Sequence, residues 1–145
     1  MKTLITTLFC LGMNLTANAA TCYEATAKTP SNIPQTFCFD SLSLNLDANL
    51  LEVSGSDTQL PKNLSASITR SREDRFSFKA KNMFFDFNET MCGESIQAFL
   101  LISGRSNEYG EVETSFVDVS VNYEITNDNC HSHPNVETFT YKLVK

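Results

Sequence analysis

Most of this chain alternates between apolar and polar residues with a period of two, the pattern of β-strands that bury one face. In the run from Val117 to Ile125 the odd positions are apolar and the even positions are polar. The same alternation surrounds Leu42, Leu64 and Phe139, and no long stretch carries a helical stripe of apolar side chains. We therefore predict an all-β domain of about eight to nine antiparallel strands with a solvated face.

The segments that break this alternation bear on the architecture. Residues 98–102 are apolar at every position, so both faces of that strand should be covered and the strand should be central. Three segments change the phase of their alternation, at residues 39–42, 78–83 and 116–117. A strand changes phase only at a bulge or a turn, and a turn over residues 79–82 is an equal alternative to a bulge there. Bulges curve long strands, which favours a small antiparallel β-barrel over a β-sandwich.

The N-terminus has the features of a secretory signal peptide. Lys2 precedes an apolar stretch from Leu4 to Leu15, and small residues lie just before position 20. This order is typical of a cleaved leader. We interpret residues 1–20 as a signal peptide and residues 21–145 as one exported domain, periplasmic or extracellular. No later segment reaches the ~20 apolar residues of a membrane-spanning helix, so no transmembrane segment is predicted in the mature chain.

Four cysteines remain after the predicted leader, namely Cys22, Cys38, Cys92 and Cys130. In an exported chain of this size they indicate two disulfide bonds that stabilise the fold. Turn-forming residues at 29–34 lie midway between the first two cysteines. A hairpin there would place those two residues opposite each other, close to the separation that a disulfide needs. We therefore predict Cys22–Cys38 and, by elimination, Cys92–Cys130.

The chain is acidic, with 11 basic and 17 acidic residues and a formal net charge of −6. This balance argues against nucleic acid as a partner. Residues 70–81 differ from the rest because basic side chains alternate there with aromatic rings. The basic residues are Arg70, Arg72, Arg75, Lys79 and Lys81. Such a cluster can bind a polyanion, including an envelope glycolipid or polysaccharide. The alternative is a set of charges that protects exposed strands from edge pairing.

The two histidines of the chain, His131 and His133, are separated by one residue. On an extended backbone both rings would point to one side, as ligands of zinc or copper could. A metal site would need a further ligand, with Asp128 and Glu137 the nearest candidates. The alternative is a polar loop between two strands. Sequence motifs for nucleotide cofactors are absent, and we predict no cofactor.

Phenylalanine is frequent in the predicted strands. The residues concerned are Phe76, Phe78, Phe84, Phe85, Phe87, Phe99, Phe116 and Phe139. We expect most of them to form a solid core, because phenylalanine is the largest apolar side chain in a chain without tryptophan. If the sheet closes into a barrel, they could instead line a cavity for a small apolar ligand.

These observations favour a binding protein over an enzyme. The sequence lacks a nucleophile elbow, and its carboxylates alternate with apolar residues as expected for solvated strand faces. We therefore expect an exported, non-catalytic protein that engages a protein partner through loops, for example as an inhibitor. The longest loop candidates are residues 54–62, 103–110 and 127–135. The alternatives are a lipocalin-like carrier of a small apolar ligand, and a metal-binding protein or enzyme that uses His131 and His133.

Overall fold

A computed structural model describes residues 20–57, 59–88, 94–127 and 135–144 of the chain. The described residues form nine β-strands and one short 3-10 turn, so the all-β prediction is confirmed. The strands are β1 (Thr21–Ala25), β2 (Thr36–Phe39), β3 (Ser41–Asn45), β4 (Leu50–Ser54), β5 (Asn63–Arg70), β6 (Phe76–Asn88), β7 (Glu94–Ser106), β8 (Asp118–Asn127) and β9 (Asn135–Leu143), and the turn is η1 (Thr114–Phe116). Among these residues, no helix is long and apolar enough to cross a membrane.

The nine strands form one antiparallel sheet in the order β2, β1, β9, β8, β7, β6, β5, β4, β3. Strand β7 is the fifth of nine, which confirms the central position predicted from its apolar run. Its inner residues Ala98, Leu100 and Ile102 are fully buried. Neighbours in the sheet are mostly neighbours in the chain. The exception is the pairing of β1 with β9, which joins the two ends of the described chain.

The described sheet is open, with β2 and β3 as its end strands, so the β-barrel that the phase changes favoured is not supported. The two end strands are nevertheless consecutive in the chain, separated only by Asp40. The backbone N–H of Asp40 donates a hydrogen bond of 2.7 Å to the carbonyl oxygen of Ser54 at the end of β4. The two ends of the sheet therefore meet at this residue, although the strand ladder does not continue across it.

Ring contacts across the core show that the sheet is strongly curved. Phe37 in β2 and Phe84 in β6 have ring centroids 6.1 Å apart. These strands are five places apart in the sheet order, and five strand spacings of ~4.8 Å would separate them by about 24 Å in a flat sheet. The sheet must therefore fold round its buried face to bring the two rings together.

The phase change in the middle of the chain is a bulge. Strand β6 is continuous, and its pairing with β7 shifts register between Met83 and Phe85. The alternative prediction of a turn over residues 79–82 is therefore wrong. Phe84 is the extra residue of the bulge, and its ring packs edge-on against Phe37 in the core. The bulge adds curvature where the sheet needs it.

The other two phase changes are breaks between elements and not bulges. One falls at Asp40 between β2 and β3, and the other falls at η1, which precedes β8. The loop predicted over residues 103–110 is also shorter than expected. Strand β7 continues to Ser106 because it pairs with β6 to its end, where Ser106 lies opposite Phe76. The first four residues of the predicted loop thus belong to the central strand.

The inner face of the sheet forms a core of aromatic and aliphatic side chains. The largest fully buried apolar side chains are Tyr23, Phe37, Phe39, Leu51, Leu64, Phe78, Leu100, Ile102 and Val121. Of the eight phenylalanines considered above, Phe78 is buried, and four others are partly buried against the core, namely Phe76, Phe84, Phe85 and Phe139. Phe99 and Phe116 lie outside this core, and the side chain of Phe87 is outside the described part.

The disulfide between Cys22 and Cys38 confirms the predicted pairing. The two residues lie directly opposite each other in the β1–β2 ladder, with their Cα atoms 4.1 Å apart. The two cysteines are opposite each other because the chain turns midway between them, as predicted. Cys92 and Cys130 lie outside the described residues, as do residues 1–19 of the predicted leader, so both of these predictions stay untested.

Candidate functional site: a basic groove on the outer face

The outer face of the sheet carries ordered rows of polar side chains. Alternate residues of a strand share a face, so the strand register determines which side chains lie next to each other. Two adjacent rows cross the centre of the sheet, and both consist of hydroxyl and charged groups. The first row contains Thr69, Ser77 and Arg105, and the second contains Ser67, Lys79, Ser103 and Asp118.

These two rows form the floor of a groove with a volume of about 620 Å³, which we call the basic groove. Residues Ser115 and Phe116 of η1 line its side. The guanidinium carbon of Arg105 lies 5.1 Å from the ring centroid of Phe116, within the range of a cation–π contact. Phe116 is 49% exposed. The groove therefore presents an accessible aromatic ring beside a basic group.

Gly104 allows η1 to approach the central strand. A Cβ atom at this position would lie 3.1 Å from the backbone oxygen of Phe116 and 3.1 Å from the ring of Phe78. The backbone of the segment is held here by a hydrogen bond of 2.8 Å from the N–H of Glu113 to the carbonyl oxygen of Arg105. A larger residue at position 104 would push η1, and with it one side of the groove, away from β7.

A second cavity of about 250 Å³ adjoins the basic groove beside the turn that connects β5 to β6. Its lining residues are Ser71, Arg72, Glu73, Arg75, Ser77 and Arg105. Ser77 and Arg105 also line the basic groove, so the two cavities are contiguous. The turn is closed by a hydrogen bond of 2.6 Å from the N–H of Ser71 to the carbonyl oxygen of Arg75.

The charges of this surface are only partly neutralised. Within the described residues, Arg70 pairs with Asp74 at 3.0 Å and Arg75 pairs with Glu113 at 3.1 Å. In the same part of the chain no ion pair involves the other basic residues of the surface, namely Arg72, Lys79 and Arg105. Together the two cavities are lined by four basic and two acidic side chains. This surface is therefore positive on a chain whose formal net charge is −6.

Three of the five basic residues singled out from the sequence line the two cavities: Arg72, Arg75 and Lys79. Arg70 lines neither described cavity, and its guanidinium lies 5.8 Å from the ring of Phe76. The fifth residue, Lys81, lies one row further along the outer face, where its ammonium group is 3.9 Å from the ring centroid of Phe99.

Arg105 is the functional candidate that sequence reasoning missed. It lies on β7, and only the β6–β7 register places it opposite Ser77. A sequence signal existed, because Ser103 and Arg105 are polar residues two positions apart and would share one face if the strand continued beyond Ile102. That signal was hidden by the expectation that the strand ends near Ile102, where turn-forming residues begin.

The metal site and the apolar ligand site predicted from the sequence have less support in the described part of the chain. His131 and His133 lie outside it, so the metal hypothesis stays a prediction. Within the described part, no three His, Cys, Asp or Glu residues are grouped to hold a metal ion. Phe84 and Phe85 line a cavity of about 420 Å³, and polar residues of two loops supply much of the remaining lining.

No protein-family model matches this chain, and no curated protein or solved structure shows significant similarity to it. The class that fold and site define is therefore a structural one. It is a single curved antiparallel sheet with a basic and hydroxyl-lined groove on its outer face. A disulfide links the two strands of the β1–β2 hairpin at one end of this sheet.

Proposed function

We propose that this protein is an exported, non-catalytic binding protein whose basic groove holds an anionic ligand. The observation that carries the proposal is the position of Lys79 and Arg105. They are diagonal neighbours on β6 and β7, on the floor of a groove lined with hydroxyl groups, and neither has an ion pair within the described residues.

The energetics of this arrangement favour an anion between the two cations. Two cations on diagonal positions of adjacent strands repel each other, and the repulsion is stronger near a protein surface than in bulk water. A negatively charged group placed between Lys79 and Arg105 adds two attractions that outweigh this repulsion. The hydroxyl groups of Ser77 and Ser103 flank the same space and supply further hydrogen bonds.

Recognition of a protein partner through loops, which we expected from the sequence, has less geometric support. Residues 103–106 of one expected loop belong to β7, and residues 128–134 of another lie outside the described part. Export remains part of the proposal, and the Cys22–Cys38 disulfide supports it because such bonds persist in oxidising compartments.

The proposal is tested by binding of the oxidised mature protein to heparin, used as a defined polyanion, over a series of salt concentrations. The double variant Lys79→Gln/Arg105→Gln removes the two central cations. We expect its affinity at low salt to fall by about tenfold or more, the effect of losing about 1.4 kcal/mol or more. The salt dependence should also weaken, because fewer counterions are released on binding.

A matched control is the double variant Lys28→Gln/Lys62→Gln, which makes the same change in net charge at two exposed positions outside the two cavities. Its affinity should stay close to that of the wild type. Equal losses in the two double variants would show that only net charge matters, and the groove would then have no specific role. Absence of heparin binding at low salt would reject the proposal.

A further inference from the structure

We propose that the ligand of the basic groove is an acidic oligosaccharide with carboxylate groups, of the uronic-acid type, and not a phosphate-rich polyanion. This inference rests on the proposed function. Three features of the basic groove are not needed by a site for a simple polyanion, namely the hydroxyl lining, the carboxylate of Asp118 and the exposed ring of Phe116.

The first feature is the hydroxyl lining. Five of the residues that line the basic groove carry hydroxyl groups: Ser67, Thr69, Ser77, Ser103 and Ser115. A side-chain hydroxyl both donates and accepts hydrogen bonds. Sugar hydroxyl groups have the same dual character, so each can be matched from either side. Phosphate oxygens of an ionised polyphosphate chain accept hydrogen bonds and do not donate them, and such a ligand would leave the accepting half of this lining unused.

The second feature is Asp118, which lies opposite Ser103 in the row that contains Lys79. An ionised carboxylate only accepts hydrogen bonds. It repels a ligand that carries negative charge along its whole length. It suits a ligand in which acidic groups are separated by hydroxyl groups, because a sugar hydroxyl can donate to Asp118 while the ligand carboxylate contacts the cations.

The third feature is Phe116, whose ring is half exposed beside Arg105. An exposed aromatic ring offers an apolar surface, and the C–H face of a sugar ring can pack on it. A polyphosphate chain has no apolar face. Arg105 lies beside this ring, and its guanidinium can pair with a carboxylate in two parallel hydrogen bonds. One uronic acid could therefore contact Arg105 with its carboxylate and Phe116 with its sugar ring.

The length of the surface indicates an oligomer and not a single sugar. The two cavities are contiguous through Ser77 and Arg105. Basic side chains follow the outer face from Arg75, which immediately precedes β6, to Lys79 and Lys81 within it. Six residues of a strand span about 20 Å, which is enough for several sugar rings. We therefore expect the chain of the oligosaccharide to lie along β6, with its acidic groups near Arg72, Arg105 and Lys79.

The test compares three probes on the oxidised mature protein by isothermal titration calorimetry: oligogalacturonate, polyphosphate of equal total charge, and neutral maltooligosaccharide. The wild type should bind oligogalacturonate more tightly than polyphosphate, and the neutral oligomer should bind least. Phe116→Ala should weaken oligogalacturonate binding by about tenfold and polyphosphate binding by less than about twofold. Thr114→Ala, on the same turn and outside both cavities, is the matched control and should leave both affinities unchanged.

Asp118→Asn gives a second, independent readout. Loss of the negative charge should strengthen polyphosphate binding. Oligogalacturonate also gains from the loss of charge, but its sugar hydroxyl then donates to a neutral amide instead of a carboxylate, and this weaker hydrogen bond offsets the gain. The affinity ratio of oligogalacturonate to polyphosphate should therefore fall about fivefold, because hydrogen bonds to charged groups are stronger than neutral ones. Phe116→Ala and Asp118→Asn both change exposed residues. Unchanged midpoints of urea unfolding will confirm that both variants fold.

The outcomes separate the two proposals. If polyphosphate binds at the groove as tightly as oligogalacturonate, or if Phe116→Ala and Asp118→Asn affect both probes equally, the saccharide inference is wrong and the anion-binding function stands. If no anionic probe binds, or if Lys79→Gln leaves all three affinities unchanged, the proposed function itself fails.

Discussion

Tyr141 connects the last strand to the loop of the first hairpin through a buried hydroxyl group. Its side chain is 6% exposed, and its ring centroid lies 4.8 Å from that of Phe37. The hydroxyl donates a hydrogen bond of 2.7 Å to the backbone carbonyl oxygen of Pro34. Burial raises the pKa of Tyr141 from 10.0 to about 12. The variant Tyr141→Phe keeps the ring and removes the hydroxyl, so it isolates the contribution of this group to stability.

Tyr141→Phe should be less stable than the wild type at neutral pH, and this difference should shrink at alkaline pH. At pH 7 we expect the free energy of unfolding to fall by about 1 kcal/mol, the net value of one hydrogen bond. Below pH 10 the hydroxyl is protonated in both states, so its contribution is complete. Between pH 10 and about 12 the unfolded chain releases this proton while the folded protein keeps it. Stability of the wild type therefore falls as pH rises through this range. A pKa difference of about two units corresponds to about 3 kcal/mol.

The measurement is urea unfolding at pH 7 and pH 11, followed by far-ultraviolet circular dichroism. Between pH 7 and pH 11 the wild type should lose about 1 kcal/mol more stability than Tyr141→Phe, because only the wild type has this buried hydroxyl. The difference of about 1 kcal/mol at pH 7 should therefore disappear near pH 11. The pKa of Tyr23 is also raised, by burial first and then by the negative charge of Asp118. That group is present in both proteins, so its effect cancels.

Tyr109→Phe is the matched control, because it removes the same atom from a side chain that is 80% exposed. It should follow the wild type at both pH values. If the wild type and Tyr141→Phe lose the same stability between pH 7 and pH 11, the fold does not hold the Tyr141 hydroxyl in its neutral form. Burial in the folded protein would then not raise the pKa of Tyr141.

Three further predictions concern the hairpin, one glycine and one buried hydroxyl. Replacing both Cys22 and Cys38 by alanine removes a crosslink between residues 16 positions apart and should lower stability by about 3 kcal/mol in urea unfolding; an unchanged midpoint would contradict this. Gly110→Ala puts a Cβ against the carbonyl oxygen of Leu44 at a φ of +81° and should cost about 3 kcal/mol, so a loss below about 1 kcal/mol in the same assay would count against it. The Tyr23 hydroxyl is buried without a hydrogen-bond partner among the described residues, so Tyr23→Phe should raise stability by about 1 kcal/mol; a decrease would reveal a partner, such as water in the adjacent cavity of about 40 Å³.

The local features of the fold were predictable because their causes are local. Alternation identified the strands around Leu42, Leu64 and Val119, and the structure buries the expected face of each. The pairing of Cys22 with Cys38 followed from the turn midway between them. The open sheet was not predictable in the same way. Curvature was inferred from phase changes, and two of those three changes are breaks between elements.

The candidate site was half predictable. Arg72, Arg75 and Lys79 belong to one short segment, so their clustering is visible in the chain. Arg105, Asp118 and the exposed ring of Phe116 come from other elements. Their proximity depends on the register of β6, β7 and β8, and alternation within a strand is unchanged when its partner slides by two residues.

The amino-acid pattern thus specifies which segments are strands, which face each strand buries and where the first hairpin turns, because each follows from residues close together in the chain. The order of the strands, the meeting of the sheet ends at Asp40 and the assembly of the basic groove depend on contacts between distant segments. These contacts are selected by the packing of the whole buried face, in which Phe84 reaches Phe37 across a curved sheet. No single segment carries that information, so Lys79 and Arg105 become neighbours only when β6 and β7 pair in the complete sheet.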